Sequence, residues 1–193
     1  MPDVASPFLG PWSSFFGMSA SAAATLTGLM FVVITLVSGN QRILRNPNGV
    51  STFSTPTVVH FCAALLISSI LVAPWRWLIQ PATLLGVTGL LGLVYALRVM
   101  HLTRRLGTYV PDVEDWTWYG VLPFIAYGVI LGGSIALRLL PGEALFALAG
   151  GVVLLIFIGI RNAWDVVTFI ATTTDEDKPS PEPASVSDGA REA

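Results

Sequence analysis

The chain has 193 residues, of which 53% are hydrophobic and only 11% are charged. About a quarter of the residues in soluble domains are charged, so this composition indicates a membrane protein. The formal net charge of -2 argues against a nucleic-acid-binding protein, because the few basic residues are dispersed and cannot form a stripe that neutralises phosphates.

Five apolar segments predict an all-α fold, an integral membrane bundle of five transmembrane helices. A bilayer core about 30 Å thick needs about 20 mostly apolar helical residues, whose backbone groups must pair within the helix because lipid offers them no partner. The predicted spans are residues 15–37, 58–78, 82–102, 118–139 and 144–170.

The first span is predicted to be a retained helix that follows an extracytoplasmic segment of residues 1–14. That segment contains Asp3 but neither lysine nor arginine, and the small residues of SASAAA precede the bulky apolar ones. A signal peptide has a basic start and an apolar region before its small residues. The order of residue types therefore favours a helix that stays in the protein.

Small residues at four-residue spacing predict where helices approach one another. Lipid tails are as apolar as leucine, so helices in a bilayer associate through close backbone contact and hydrogen bonds. These faces either pack the five helices into one bundle, or one of them contacts a partner protein or another protomer. The first span is the favoured candidate for such an outside contact, because it carries small residues on nearly all of its sides. The candidate packing residues are Ala24, Gly28, Gly128, Gly132, Ala136, Ala147 and Gly151, and a further stripe of Gly86, Gly89 and Gly92 lies on the third span.

The distribution of basic residues predicts an orientation with the N-terminus outside and the C-terminus in the cytoplasm. Cytoplasmic loops of membrane proteins carry an excess of lysine and arginine. With this orientation only Arg76 and Arg138 lie outside. The cytoplasmic side holds Arg42, Arg45, Arg104, Arg105, Lys178 and Arg191, with Arg98 and Arg161 near it.

Polar residues are predicted to converge near the cytoplasmic ends of three spans. Arg161 and Asp165 are four residues apart, a spacing that lets the two side chains interact on one helix face. The favoured interpretation is a membrane boundary, at which arginines reach the phosphate headgroups. The alternative is a ligand pocket in which Asp165 orients Arg161 and a histidine titrates near neutral pH. The candidate cluster consists of His60, Arg98, His101, Arg105, Arg161 and Asp165.

No sequence motif indicates catalysis. CxxC, HExxH, GxSxG and P-loop patterns are all absent from the chain. His60 and His101 lie on separate spans without a carboxylate at comparable depth, which makes a weak zinc site, and Cys62 is expected to be an inert thiol. We therefore predict no catalytic residue, no metal and no cofactor, and we lean towards a non-enzymatic protein.

The chain is expected to end in a disordered, acidic cytoplasmic tail, residues 171–193. Acidic residues, proline and serine dominate it, and it has almost nothing to bury. The apolar VVTFI that follows Asp165 suggests that the fifth helix continues along or under the membrane face.

Both ends of the membrane region resemble a known group of proteins. The stretches SASAAATLTGLMFVVITL and QRIL, with the closing GIRNAWDVVTF, are similar to small bacterial multi-pass inner-membrane proteins of uncharacterised function. Some members of that group carry a label as modulators of a membrane-bound AAA protease. The resemblance implies a location in the bacterial inner membrane and transfers no catalytic residue.

Three functions are compatible with these features. The leading hypothesis is a non-enzymatic accessory, regulatory or self-associating membrane protein, whose partners are the lipid bilayer and a second copy or another membrane protein. The alternative is an oligomeric channel or transporter with a basic cytoplasmic vestibule that selects anions. The third is an enzyme that acts on lipid at the inner headgroup level through Arg161 and Asp165.

Overall fold

The computed structural model describes residues 5–38, 47–105 and 116–175, and all regular secondary structure within these ranges is helical. Five of the helices are long and apolar enough to cross a membrane, as the sequence predicts. A short helical lead-in, Ser6–Leu9 and Gly10–Trp12, precedes the first of them. The five helices are α1 (Ser13–Ser38), α2 (Pro47–Val72), α3 (Ile79–Arg105), α4 (Thr117–Ala136) and α5 (Pro141–Asp175).

The second helix lies earlier in the chain than predicted. It begins at Pro47 and ends at Val72, whereas apolarity alone predicts residues 58–78. Pro74 explains the early end, because proline restricts the residue before it and has no backbone N–H to continue the ladder. The indole N–H of Trp75 donates to the Ile70 carbonyl oxygen, which satisfies one of the carbonyls left unpaired at a helix end.

The fifth helix is longer than predicted at both ends. Pro141 occupies its first turn, where a missing N–H costs nothing, and Glu143 lies beside the positive end of the helix dipole. The helix continues past Asp165 to Asp175, so the first residues of the tail that we expected to be disordered are helical. Residues 176–193 lie outside the described residues.

Four of the helices close into a ring. In order around it, α2 packs on α5, α5 on α4 and α4 on α3, and a smaller contact between α3 and α2 completes it. The first helix lies outside this ring, against α2 and the edge of α5. An aromatic contact supports that position, since the ring centroids of Trp12 and Phe146 lie 4.6 Å apart at the start of α5.

Helices that are adjacent along the chain run in opposite directions. Gly86 near the start of α3 lies against Ser134 near the end of α4, and the backbone N–H of Ala5 donates to the Arg76 carbonyl oxygen at 3.3 Å. The end of the bundle that holds Arg76 is called the Arg76 end below. The opposite end, where Trp118 begins α4, is called the Arg161 end.

Glycines mark the closest helix contacts within the ring. A Cβ atom added to Gly92 would collide with the ring of Tyr127, and one added to Gly159 would collide with the ring of Phe61. A Cβ atom on Gly151 would lie 2.6 Å from Cδ1 of Ile130. These contacts join α3 to α4, α5 to α2 and α5 to α4, so the ring depends on residues without a side chain.

Within the described residues, several of the expected packing positions have open space where an added Cβ atom would lie. A Cβ atom added to Gly28, Gly128 or Gly132 would meet nothing within 4 Å, because these positions are directed away from the neighbouring helices. Ala24 is likewise exposed on α1. Of the remaining predicted positions, Ala136 and Ala147 are half-buried and Gly151 is buried. The role of the open positions in a contact outside the chain stays a prediction.

Candidate functional site

The interior of the ring holds a hydrogen-bonded pair of aromatic polar side chains. His60 of α2 and Tyr127 of α4 are both almost fully buried, and Nδ1 of His60 lies 3.0 Å from the hydroxyl oxygen of Tyr127. The tautomer of the imidazole decides which group donates. Tyr95 of α3 presents its ring edge-on to His60, with 6.5 Å between the ring centroids. Three helices therefore meet at one polar cluster.

Gly92 of α3 makes the pairing of His60 with Tyr127 possible. The ring of Tyr127 lies where the Cβ atom of any other residue at position 92 would be. The phenol can therefore cross the interior and reach His60 on the far side of the ring. A stripe of glycines on α3 thus serves to hold a hydrogen-bonding group in place as well as to bring two helices together.

Asn162 of α5 is a second polar group in the interior. Its side chain is completely buried, and neither amide atom, Nδ2 or Oδ1, has a hydrogen-bond partner. Gly159, three residues earlier, packs against Phe61, the residue after His60. Asn162 therefore lies about 4.5 Å further towards the Arg161 end, at a rise of about 1.5 Å for each helical residue.

The interior becomes apolar towards the Arg76 end. Ser134 satisfies its hydroxyl within its own helix, by donating to the Leu131 carbonyl oxygen at 2.7 Å. Ser68 is buried nearby, and its hydroxyl has no hydrogen-bond partner. The other side chains that fill this half are fully buried hydrocarbons: Ile67, Leu71, Leu78, Leu85, Leu145 and Leu148.

The ion pair predicted on α5 is present at the surface of the bundle. Arg161 Nη1 donates to Asp165 Oδ1, and both side chains are about one third exposed, at 32% and 36%. The guanidinium of Arg161 also lies over the ring of Trp118, 5.9 Å from its centroid, in a cation–π contact. The ion pair neutralises the charge of Arg161, and the cation–π contact joins α5 to the start of α4.

The six residues of the predicted polar cluster do not share one pocket. His60 lies in the interior of the ring, because α2 begins at Pro47 and so places His60 in the middle of the helix rather than near its end. Arg98 and His101 are exposed on α3, and the side chain of Arg105 lies outside what the structure describes. Among the five whose side chains the structure describes, Arg161 and Asp165 are joined by an ion pair.

Sequence reasoning missed Tyr127, Tyr95 and Asn162. One signal for Asn162 was available, since it follows the apolar Leu155 by seven residues and Ile158 by four, which places all three on one helix face. Tyr127 gave no comparable signal, because a tyrosine in an apolar span also suits a membrane interface.

The cluster can exchange hydrogen bonds, but it does not resemble a metal centre. Within the described ranges, no three His, Cys, Asp or Glu side chains come close enough together to hold a metal ion. The single cysteine, Cys62, is exposed on the outside of α2, two residues after His60. The chemistry available in the interior is therefore hydrogen bonding by uncharged groups.

Comparisons of this chain with models of protein families, with curated proteins and with solved structures gave no match. The resemblance of its two ends to small bacterial inner-membrane proteins therefore stays a prediction.

Proposed function

We propose that the chain is a multi-pass protein of the bacterial inner membrane that crosses the bilayer five times. Its outer surface supports this placement, since monomeric soluble proteins rarely expose large continuous apolar patches. Apolar side chains that are more than half exposed occur on four of the five long helices and include Phe31, Leu91, Ile135 and Phe157. Lipid is the solvent that such a surface suits.

In the proposed orientation the Arg161 end faces the cytoplasm. Arg98 and Arg161 lie towards that end in the described part of the chain, and α3 finishes there with two further arginines. Arg76 and Arg138 lie at the opposite end. This asymmetry matches the excess of basic residues on the cytoplasmic side of membrane proteins, and it puts the N-terminus outside.

We propose further that the protein acts by association, as an accessory, regulatory or self-associating subunit. The observation that carries this proposal is the position of α1, which lies outside the ring and leaves Ala24 and Gly28 exposed, with open space beside Gly28 in the described part of the chain. Small residues four positions apart let two helix backbones approach closely in lipid. The open face of α1 therefore suits a helix of a second copy or of another membrane protein.

The substitution Gly28→Ile tests this proposal. The variant is expected to run as a monomer in mild detergent, whereas the wild-type chain runs as an oligomer or as a stoichiometric complex, because the added side chain holds the second helix away. Gly150→Ile is the matched control, since Gly150 is also exposed and open but lies on α5. A wild-type chain that is monomeric both in detergent and in bilayers, without a stoichiometric partner, would refute the proposal.

An oligomeric channel or transporter is the alternative function. Arg98 and His101 favour it, because both are exposed near the cytoplasmic end of α3 and would line a basic vestibule if several copies assembled around a pore. Reconstituted liposomes should then conduct anions, and Arg98→Gln should reduce that conductance. An absence of flux across a range of voltage and pH would contradict this alternative.

A further inference from the structure

The buried amide of Asn162 has no hydrogen-bond partner within the protein. Burying an amide without a hydrogen bond is unfavourable, because the amide gives up its hydrogen bonds to water and gains none in exchange. Its two atoms offer donors and an acceptor, and both lack a partner at zero exposure of the side chain. We infer that the half of the ring nearest the Arg161 end holds water, which enters from the cytoplasm and reaches the His60–Tyr127 pair.

Polar groups line the interior over the distance that the water would occupy. Thr57 is completely buried on α2, one helical turn before His60, and Asn162 is completely buried on α5, three residues after the glycine that packs against Phe61. Buried water usually makes about three hydrogen bonds, so it persists only where several polar partners converge. His60, Tyr127, Thr57 and Asn162 supply such partners from three helices.

The two ends of this region differ. At the Arg161 end, α4 begins with a π-helical turn, Thr117–Val121, and π-turns occur frequently at functional sites. Towards the Arg76 end the interior is filled by fully buried leucine and isoleucine side chains, among them Leu71, Leu85 and Leu148. In the inferred arrangement water reaches the interior from the Arg161 end, and the buried apolar side chains keep it from the Arg76 end.

Charge selects water rather than an ion as the occupant. The interior polar groups named above are uncharged in their ordinary forms, and Arg161 already holds the carboxylate of Asp165 at the surface of the bundle. An ion in the interior would therefore meet no counter-charge there, and an unpaired charge within a membrane is expensive. The inference rests on the membrane placement proposed above and is independent of association through α1.

Thiol accessibility provides the test, with the native cysteine as an internal reference. Cys62 lies near the depth of His60 but on the outside of α2, where it would face lipid. Asn162→Cys is introduced into the full-length chain with Cys62→Ala, and vesicles with the cytoplasmic face outward receive a charged, membrane-impermeant thiol reagent. Because only a thiolate in contact with water reacts, Asn162→Cys should be modified at least about tenfold faster than Cys62 of the wild-type chain.

Leu148→Cys, in the same Cys62→Ala background, is the control for an interior position in the closed half. Leu148 is fully buried towards the Arg76 end, and its cysteine should stay unmodified. If Asn162→Cys reacts no faster than Leu148→Cys, or reacts only from the opposite side of the membrane, the inference is wrong. Thr57→Cys makes the same comparison if Asn162→Cys fails to fold, and it should also react from the cytoplasmic side.

The rate at which Cys62 reacts distinguishes a failure of this inference from a failure of the membrane placement. If Cys62 of the wild-type chain reacts as fast as Asn162→Cys, the outside of α2 is in water, and both the membrane placement and the inference are overturned. If Cys62 is unreactive and Asn162→Cys is unreactive as well, the bundle is in lipid but its interior is dry, and only the inference fails.

Discussion

The environment of a histidine in an apolar helix depends on the direction in which its side chain points. His60 points into the ring and meets Tyr127, whereas His101 is exposed on α3. The two have the same chemistry, and the sequence predicts both near the cytoplasmic ends of their helices. Their environments differ because α2 begins at Pro47, which places His60 in the middle of a long helix. The inner face of that helix packs against neighbouring helices.

Removing the hydroxyl of Tyr127 should destabilise the bundle. Tyr127→Phe leaves Nδ1 of His60 buried without its partner, so the free energy of unfolding should fall by about 1–2 kcal/mol. The measurement is equilibrium unfolding of the purified protein in mixed detergent micelles. In a His60→Leu background the same substitution should cost less, by about 0.6 kcal/mol, which is typical of hydrogen bonds between membrane helices. An equal cost in both backgrounds would contradict a direct interaction.

At the scale of the helix, glycines separate into those that a neighbour covers and those that remain open. Gly92 and Gly159 lie against aromatic rings of another helix, whereas Gly28 and Gly132 face away from the described bundle. Since both kinds occur within apolar spans, spacing alone does not distinguish them. The distinction appears only when the partner helix and its side chains are known.

Alanine substitutions at these glycines should divide in the same way. Gly92→Ala and Gly159→Ala should lower the free energy of unfolding by about 1–3 kcal/mol, because the added methyl group overlaps a buried ring. Gly132→Ala is the matched control and should be neutral or stabilising by up to about 1 kcal/mol, since alanine favours the helix and meets no neighbour. Unfolding in detergent, followed by circular dichroism, provides the comparison. Equal losses at all three positions would show that helix contacts do not set the effect.

The helices could be predicted from sequence more fully than the interior of the ring. Apolarity identified all five long helices, because an uncharged run of about 20 residues is typical of a helix that crosses a bilayer. The second helix ends earlier than apolarity predicts, because Pro74 and Trp75 determine where it ends. The His60–Tyr127 pair could not be predicted, since its two residues are far apart in sequence and only the order of helices around the ring brings them together.

At the scale of the whole molecule, the ring of four helices should depend less on α1 than α1 depends on the ring. The ring closes through contacts among α2, α3, α4 and α5, whereas α1 adds an outer layer on α2. The fifth helix, α5, packs on both α2 and α4 and also contacts α1.

Deleting residues 1–38 should therefore leave a bundle that still unfolds cooperatively. Its stability should be lower, because the deletion removes the buried side chains of Phe16 and Ala23. Deleting residues 141–193 is the control, and it should abolish cooperative unfolding because the ring loses α5. Thermal melts of both truncated chains in detergent test the difference. Loss of the cooperative transition in the first deletion would show that the ring does not fold without α1.

The order of helices around the ring differs from their order along the chain. The main neighbour of α2 within the ring is α5, which the ribosome makes last, while the contact between α2 and α3 is small. During synthesis the imidazole of His60 therefore cannot bond to Tyr127 until α4 has been made. The face of α2 that carries Phe61 likewise cannot pack against Gly159 until α5 has been made. If the helices enter the membrane as they are made, the early ones hold polar groups without their final partners until the later helices have been made. The chain would then depend on the insertion machinery, or on a chaperone within the membrane, to shelter α2 until α5 arrives.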